Sequence, residues 1–180
     1  HIVLRFFLSP RYELSVPISF KGHLFSTIES VYQGIKFGEH ALGVFAIGGA
    51  LSDWDAGMAL FYPGDRTTQE KKKWYWKSRG CLGILAKLAQ SNWRKVPGLS
   101  APKTFTMEEK KRLFKTLLRL KFSVNPELSR LLLSTGNAAL VEQCRGALRR
   151  ELILEKSPER WGGVCKQTPL GTWEIYGDNE

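Results

Sequence analysis

A carboxylate, an amide and an ammonium lie at helical intervals in the stretch FSTIESVYQGIKF, residues 25 to 37. Glu29, Gln33 and Lys36 are four and three positions apart, so a helix would place all three on one face. A carboxylate can act as a general base or stabilise positive charge, and an ammonium can hold a phosphate or tune the carboxylate. These three side chains are therefore candidate functional residues.

Glu29 also has a purely structural interpretation. Ser26-Thr27-Ile28-Glu29 fits the S-x-x-E capping box, in which the glutamate hydrogen-bonds back to the start of its own helix. Taken alone, these four residues favour the capping role, because such boxes are common. For Gln33 and Lys36, a polar stripe that faces solvent is an equally good explanation.

The composition is that of a folded, basic protein. With 43% hydrophobic and 24% charged residues among 180, the chain has enough apolar surface for one domain over residues 1–180, and disorder is not expected. The 27 Lys and Arg against 17 Asp and Glu give a net charge of +10. Such a surface attracts phosphates, nucleotides or nucleic acid, although it can equally serve solubility alone.

The three cysteines, Cys81, Cys144 and Cys165, show no metal-binding or disulfide pattern. No apolar run of about 18 residues is present, so we expect no membrane span. No signal-peptide leader opens the sequence. These features favour an intracellular protein of a reducing compartment, the cytoplasm or the nucleus. The start at His1 indicates a processed chain or a piece of a longer one.

Short strands and helices would position the polar residues in the first half of the chain. In order, the sequence predicts a strand ending at Pro10, a hairpin turning at Lys21-Gly22, the Glu29 helix beginning at Ser26, short helices broken by turns over residues 38–66, and two helical pieces over residues 67–90 with a break at Gly80.

The clearest helix lies in the second half. A second capping box, Thr106 to Glu109, begins it, and an apolar face continues to Phe122. Asn125-Pro126-Glu127 begins another helix, because a proline suits the first turn, and Gly136 is a natural end. A charged helix over residues 145–155 and short strands complete the chain. The predicted fold class is α+β, predominantly helical, with short strands near both termini.

The basic and aromatic segment Lys71-Lys72-Lys73-Trp74-Tyr75-Trp76-Lys77 has two interpretations. Lysines and aromatic rings can grip nucleic acid through its phosphates and by stacking on its bases. The same pattern fits an amphipathic helix that buries two tryptophans while its lysines face water. The helix is the preferred interpretation.

Four stretches of the chain also occur, in the same order, in a known family. The first joins FFLSP to FKGHLFSTIESVYQGIKF, which fits an aromatic-Ser segment, a hairpin and an S-x-E-x-x-x-Q-x-x-K-F helix. LLRLKFSVNPELSRLLLSTGNAALVE is the most specific stretch, RWGG fits a W-G-x-G loop, and PLGTWEI is a fainter match. With these four stretches, which cover well under half of its length, the chain resembles the NADAR family, whose bacterial members include N-glycosidases acting on riboflavin-pathway intermediates.

The resemblance implies a compact, mostly helical α+β domain that hydrolyses the bond between ribose, or ADP-ribose, and a nitrogen base or amine. The family's catalytic glutamate falls on Glu29, whose carboxylate would stabilise an oxocarbenium-like transition state or activate water. The implied substrate-binding residues surround a pocket between the Glu29 helix and the Trp161 loop. They are Phe7, Ser9, Gln33, Lys36, Phe105, Trp161 and Gly162. No metal or other cofactor is implied.

Two further expectations concern the substrate and turnover. Some members of the family remove ADP-ribose from guanine in nucleic acid, so the charge of +10 favours ADP-ribosylated nucleic acid as a partner. The chain differs from the family pattern at three positions that belong to the implied pocket, Pro10, Ser30 and Pro158. These differences favour an alternative function, in which the same fold binds a nucleotide or nucleic acid without catalysis.

Overall fold

The computed structural model describes residues 9–77, 81–136, 164–167 and 173–176. Helices predominate and the strands are short, so the α+β fold class is confirmed at that level. The chain divides into two compact units, residues 1–134 and 135–180, and one domain over 1–180 stays a prediction. Within the described ranges, no helix is long and apolar enough to cross a membrane.

The first unit contains one hairpin followed by helices. Its elements are β1 (Ile18–Phe20), β2 (His23–Phe25), α1 (Ile28–Phe37), α2 (Leu42–Phe45), α3 (Trp54–Phe61), α4 (Arg66–Lys77), α5 (Cys81–Asn92), α6 (Met107–Val124) and α7 (Pro126–Leu133). Short 3-10 turns occupy Glu39–Ala41 and Trp93–Lys95. In the second unit, β3 (Val164–Gln167) pairs antiparallel with β4 (Trp173–Tyr176).

The first hairpin turns where the sequence predicts. Lys21 and Gly22 both have positive φ, 47° and 78°, and Phe20 pairs directly with His23. A two-residue turn with positive φ at both positions matches the right-handed twist of its strands, and Gly22 adopts such a φ without strain. The turn therefore sets the register that places the buried Phe25 opposite Ile18.

Helix α1 lies at the centre of the first unit. It packs against α2, α5 and α6, and every residue from Ile28 to Gly34 is buried, as is Phe37. Gly34 allows α2 to come close, because a Cβ there would lie 3.0 Å from a methyl carbon of Leu42. Glu29, Ser30 and Gln33 therefore lie inside the core rather than on a solvated surface.

Asn125 joins the α6–α7 corner to the chain before β1. Its side chain is fully buried, and its Oδ1 accepts from the Val16 N–H at 3.0 Å and the Ser15 hydroxyl at 3.1 Å. Its Nδ2 donates to the carbonyls of Val16 at 3.1 Å and Lys121 at 3.0 Å. A buried amide with four partners is fully satisfied, so this contact stabilises the corner.

Most of the predicted elements are confirmed where the structure describes them. The Thr106–Glu109 capping box is present, α7 begins at Pro126, and short strands lie near the C-terminus. Helices also occur over residues 38–66 and 67–90 as expected. The N-terminal strand, the break at Gly80 and the helix over 145–155 lie outside the described residues.

The predicted cap of α1 is wrong by one residue. Thr27 is the N-cap, and its Oγ1 accepts from the Ser30 N–H at 3.0 Å and lies 2.8 Å from the Ser30 hydroxyl. The helix begins one residue later than predicted because the Ser26 carbonyl is bonded to the Leu14 N–H at 2.8 Å, outside the helix. Glu29 therefore does not cap its own helix.

Alanine substitution separates the observed cap from the predicted one. Thr27→Ala should lower the free energy of unfolding by about 1 kcal/mol, because it removes an N-cap hydroxyl. Ser26→Ala, the matched control, should change it by less than about 0.5 kcal/mol. Urea denaturation followed by circular dichroism measures both. An equal loss in the two variants would contradict the assignment of Thr27.

Candidate functional site

Glu29 and Gln33 form a buried pair one turn apart on α1. The Glu29 side chain is 8% exposed, and one carboxylate oxygen, Oε1, accepts a hydrogen bond from Gln33 Nε2 at 2.9 Å. The expected common face of these two residues is therefore confirmed. The carboxylate lies along the helix instead of folding back, so it does not accept a hydrogen bond from the backbone N–H groups at the helix start.

The other end of the Gln33 amide has no partner. Gln33 is 1% exposed, and its Oε1 forms no hydrogen bond with any residue that the structure describes. A buried acceptor without a donor costs about 1–3 kcal/mol. A ligand with an N–H or O–H group would satisfy this oxygen, so the amide is suited to bind one next to Glu29.

The start of α1 holds the backbone of Glu29. The Glu29 N–H donates to the Pro10 carbonyl at 2.9 Å. Glu29 lies in the first turn of the helix, where the partial positive charge of the N-terminus stabilises an ionised carboxylate. Ser30, at a position where the resembled family has histidine, is buried and contributes to the Thr27 cap.

Ser9 reaches this region through its backbone. Its carbonyl accepts from Lys121 Nζ at 3.1 Å, and its hydroxyl accepts from the Arg11 N–H at 3.2 Å. The next residue is Pro10, whose carbonyl holds Glu29. The structure therefore brings Ser9 close to the start of α1, with the hydroxyl engaged in a local turn.

Lys121 is a buried residue of this region that the sequence analysis missed. Its side chain is 0% exposed, and burial lowers the pKa of the ammonium to about 8. Its Nζ lies 5.7 Å and 5.5 Å from the ring centres of Tyr12 and Phe122, at cation–π distance. The missed signal is its spacing, because Lys121 follows the buried Leu117 by one helical turn.

Aromatic rings connect α1 to the start of α6. The ring of Tyr32 lies 6.3 Å from that of Phe105 and 4.7 Å from that of Phe114. Burial raises the pKa of the Tyr32 hydroxyl, and the negative charge of Glu29 raises it further. Phe105 thus lies beside α1, while its role in substrate binding stays a prediction. Tyr32 is a neighbour of Glu29 that the sequence analysis missed.

Lys36 is half-buried at the end of α1. Burial lowers the pKa of its ammonium, the charge of Lys110 lowers it further and that of Lys87 adds a smaller effect in the same direction, while Glu29 opposes them. Lys36 forms no ion pair with Glu29 in the part of the chain that the structure describes. The charge of Glu29 therefore acts on the Lys36 ammonium across a longer distance than that of a salt bridge.

Three of the predicted site residues, Phe7, Trp161 and Gly162, lie outside the described residues, as does Pro158. The pocket between α1 and the Trp161 loop accordingly stays a prediction. An open groove between α6 and α7 is lined by Arg119 and Phe122, among others, and includes none of the predicted site residues.

Comparisons of the chain with protein-family models, with curated proteins and with solved structures find no match. Membership of the NADAR family is thus a hypothesis based on the four stretches of sequence.

The basic and aromatic segment forms α4, but its predicted burial is wrong for one tryptophan. Trp74 is 83% exposed. Lys73 is bound to Asp55, with its Nζ 2.9 Å and 3.0 Å from the two carboxylate oxygens, and Lys72 lies 4.9 Å from the ring centre of Tyr62. Lys72 and Lys73 make the contacts with α3 and its C-terminal end, so the adjacent Trp74 points elsewhere.

The lowered pKa of Lys121 predicts a specific dependence of stability on pH. The unfolded chain keeps this proton up to pH 10.5, whereas the folded chain loses it near pH 8, so stability rises with pH between these values. From pH 7.5 to 9.5, the unfolding free energy of the wild type should rise by about 2 kcal/mol relative to that of Lys121→Met.

Urea denaturation at the two pH values measures this difference. Lys115→Met is the matched control, because Lys115 is an exposed lysine on the same helix. Its unfolding free energy should follow the wild type at both pH values. Parallel behaviour of the wild type and Lys121→Met would show that Lys121 keeps an ordinary pKa.

Proposed function

We propose that the protein is an N-glycosidase of the NADAR type. It cleaves the bond between ribose, or ADP-ribose, and a nitrogen base or amine, and Glu29 is its catalytic carboxylate. The observation that carries this proposal is the buried Glu29–Gln33 pair, in which the carboxylate does not cap the helix and the amide oxygen has no hydrogen-bond partner among the described residues.

The position of Glu29 suits stabilisation of an oxocarbenium-like transition state. A buried negative charge interacts with developing positive charge more strongly than an exposed one. Gln33 Nε2 fixes Oε1 of the carboxylate, and no described residue hydrogen-bonds to Oε2. This second oxygen is therefore suited to face the anomeric carbon of the sugar or to accept a proton from water.

The reaction needs only water as a second reactant. The bond between the anomeric carbon and the nitrogen breaks, and its electron pair leaves with the nitrogen. The water oxygen bonds to the anomeric carbon, and a proton from that water reaches the leaving nitrogen. Phe105, half-buried beside Tyr32, offers an apolar surface for a base or a ribose face.

Substitution of Glu29 tests the proposal. Glu29→Gln should lower hydrolysis by at least about 100-fold, because it removes the charge while it keeps the size of the side chain. Mass spectrometry after incubation with ADP-ribose, ADP-ribosylated DNA and ribosylaminopyrimidine phosphates measures turnover. Thermal unfolding establishes that the variant is folded.

Glu39→Gln is the matched control, because Glu39 is exposed and pairs with Lys21 at the surface. It should keep the activity of the wild type. Absence of turnover by the wild type on all three substrates would refute the proposal, as would full activity of Glu29→Gln.

Exposure of Trp74 favours a second candidate function, the binding of nucleic acid without catalysis. An indole that is 83% exposed offers a face for base stacking, and the net charge of +10 attracts phosphates. Lys72 contacts Tyr62, and Lys73 pairs with Asp55. The support for this candidate therefore comes from the exposed ring of Trp74 and not from these two lysines.

Trp74→Ala tests this second candidate. Stacking of a base on an aromatic ring contributes about 1–3 kcal/mol, so affinity for a single-stranded oligonucleotide should fall by about fivefold or more. Fluorescence anisotropy at two salt concentrations measures it, with weaker binding expected at the higher one. Leu24→Ala, at another exposed apolar residue, is the control. Equal affinity of the wild type and Trp74→Ala, or binding that is insensitive to salt, would count against nucleic-acid binding through Trp74.

A further inference from the structure

Three lysines lie on α1 and on two helices that pack against it. Lys36 lies in the last turn of α1, Lys87 in α5 and Lys110 in the first turn of α6. Helix α1 packs against both other helices. Lys36 follows Tyr32 by one turn, Lys110 precedes Phe114 by one turn, and the rings of Tyr32 and Phe114 lie 4.7 Å apart, so packing brings these two lysines together. The positive charges of Lys87 and Lys110 also act on the Lys36 ammonium. We call these three residues the lysine cluster.

Backbone and ring contacts set the position of this cluster. The Lys103 N–H donates to the carbonyl of Lys36 at 2.7 Å, which ties the segment before α6 to the end of α1. Phe105, which follows Lys103 and precedes α6 in the sequence, also contacts α1 through the ring of Tyr32. Lys110 follows within the first turn of α6, so its approach to Lys36 results from packing and not from a flexible loop.

Two acidic residues near the lysine cluster, Glu109 and Glu39, are already engaged. Glu109 accepts from the Thr106 N–H at 2.8 Å in its capping box, and Glu39 pairs with Lys21. Among the described residues whose charges act on Lys36, Glu29 alone is negative. The C-terminal end of α1 adds about half a negative elementary charge. The cluster therefore keeps a net positive charge, and like charges at short distance are unfavourable without an anion.

We propose that Lys36, Lys87 and Lys110 bind a phosphate or diphosphate group of the substrate. Lys36 lies about 10 Å along the helix from Glu29, and helical side chains tilt towards the N-terminus, so its ammonium extends back towards the carboxylate. Gln33 lies between them on the helix, and its Oε1, which no described residue hydrogen-bonds, can accept from a sugar hydroxyl. The identification of the anion as part of a sugar substrate rests on the proposed function, whereas anion binding itself does not.

Binding of inorganic pyrophosphate tests the lysine cluster without any turnover. Isothermal titration calorimetry at low salt should show that Lys36→Met and Lys110→Met each weaken binding by about fivefold or more, because each removes one ammonium. Lys87 is exposed, so Lys87→Met gives the same test without disturbing the fold. Lys115→Met, on the same helix as Lys110, should stay within about twofold of the wild type. Unchanged affinity in Lys36→Met, Lys87→Met and Lys110→Met would overturn the proposal, as would an equal loss in Lys115→Met.

Two further arms separate this inference from the proposed function. Glu29→Gln should bind pyrophosphate at least as tightly as the wild type. Pyrophosphate binding that depends on the lysines, together with no hydrolysis by the wild type, would refute the N-glycosidase proposal and support the anion site. ADP-ribose should displace pyrophosphate, and an unmodified oligonucleotide should not. If the oligonucleotide displaces pyrophosphate and ADP-ribose does not, the assignment of a sugar phosphate as the ligand of the lysine cluster is refuted.

Discussion

The burial of α1 on all its sides is the constraint on which the rest of the structure depends. Polar groups inside a core are costly unless they are hydrogen-bonded, and α1 carries several of them. Thr27 and Ser30 satisfy each other at the helix start, and Gln33 satisfies one oxygen of Glu29. The Gln33 oxygen, which has no partner in the part of the chain that the structure describes, lies on the same face as Glu29. An arrangement chosen for stability alone would place apolar residues at these positions, so the polar pair favours a binding role.

Helix α6 positions both ends of the candidate site. Near its C-terminal end, Lys121 donates to the Ser9 carbonyl, and the neighbouring Pro10 carbonyl accepts from the backbone of Glu29. Near its N-terminal end, the backbone bond from Lys103 to Lys36 and the ring contact between Tyr32 and Phe114 bring Lys110 towards the other end of α1. A single long helix therefore fixes the carboxylate and the lysine cluster relative to each other. Rigid placement of this kind is needed where a reacting bond and a charged group of one ligand are held at the same time.

The local features of this protein follow from the sequence by itself. Lys21-Gly22 sets a two-residue turn, and Pro126 begins a helix, because both depend on backbone preferences of the residues involved. The pairing of Glu29 with Gln33 also follows from sequence, since residues four apart on a helix are neighbours. Each of these contacts spans one turn or less, so no knowledge of distant residues is required.

The tertiary structure alone decided which polar groups are buried and which meet. The cap of α1 moved to Thr27 because a hydrogen bond from Leu14 holds Ser26 outside the helix. Lys121 contacts a carbonyl 112 positions away, and no local pattern predicts that partner. Trp74 is exposed because α4 uses the side chains just before it to contact α3 and the residues that follow. The sequence determines the conformation of each short segment through sterics and nearby hydrogen bonds, whereas burial and charge clusters depend on how remote segments pack together.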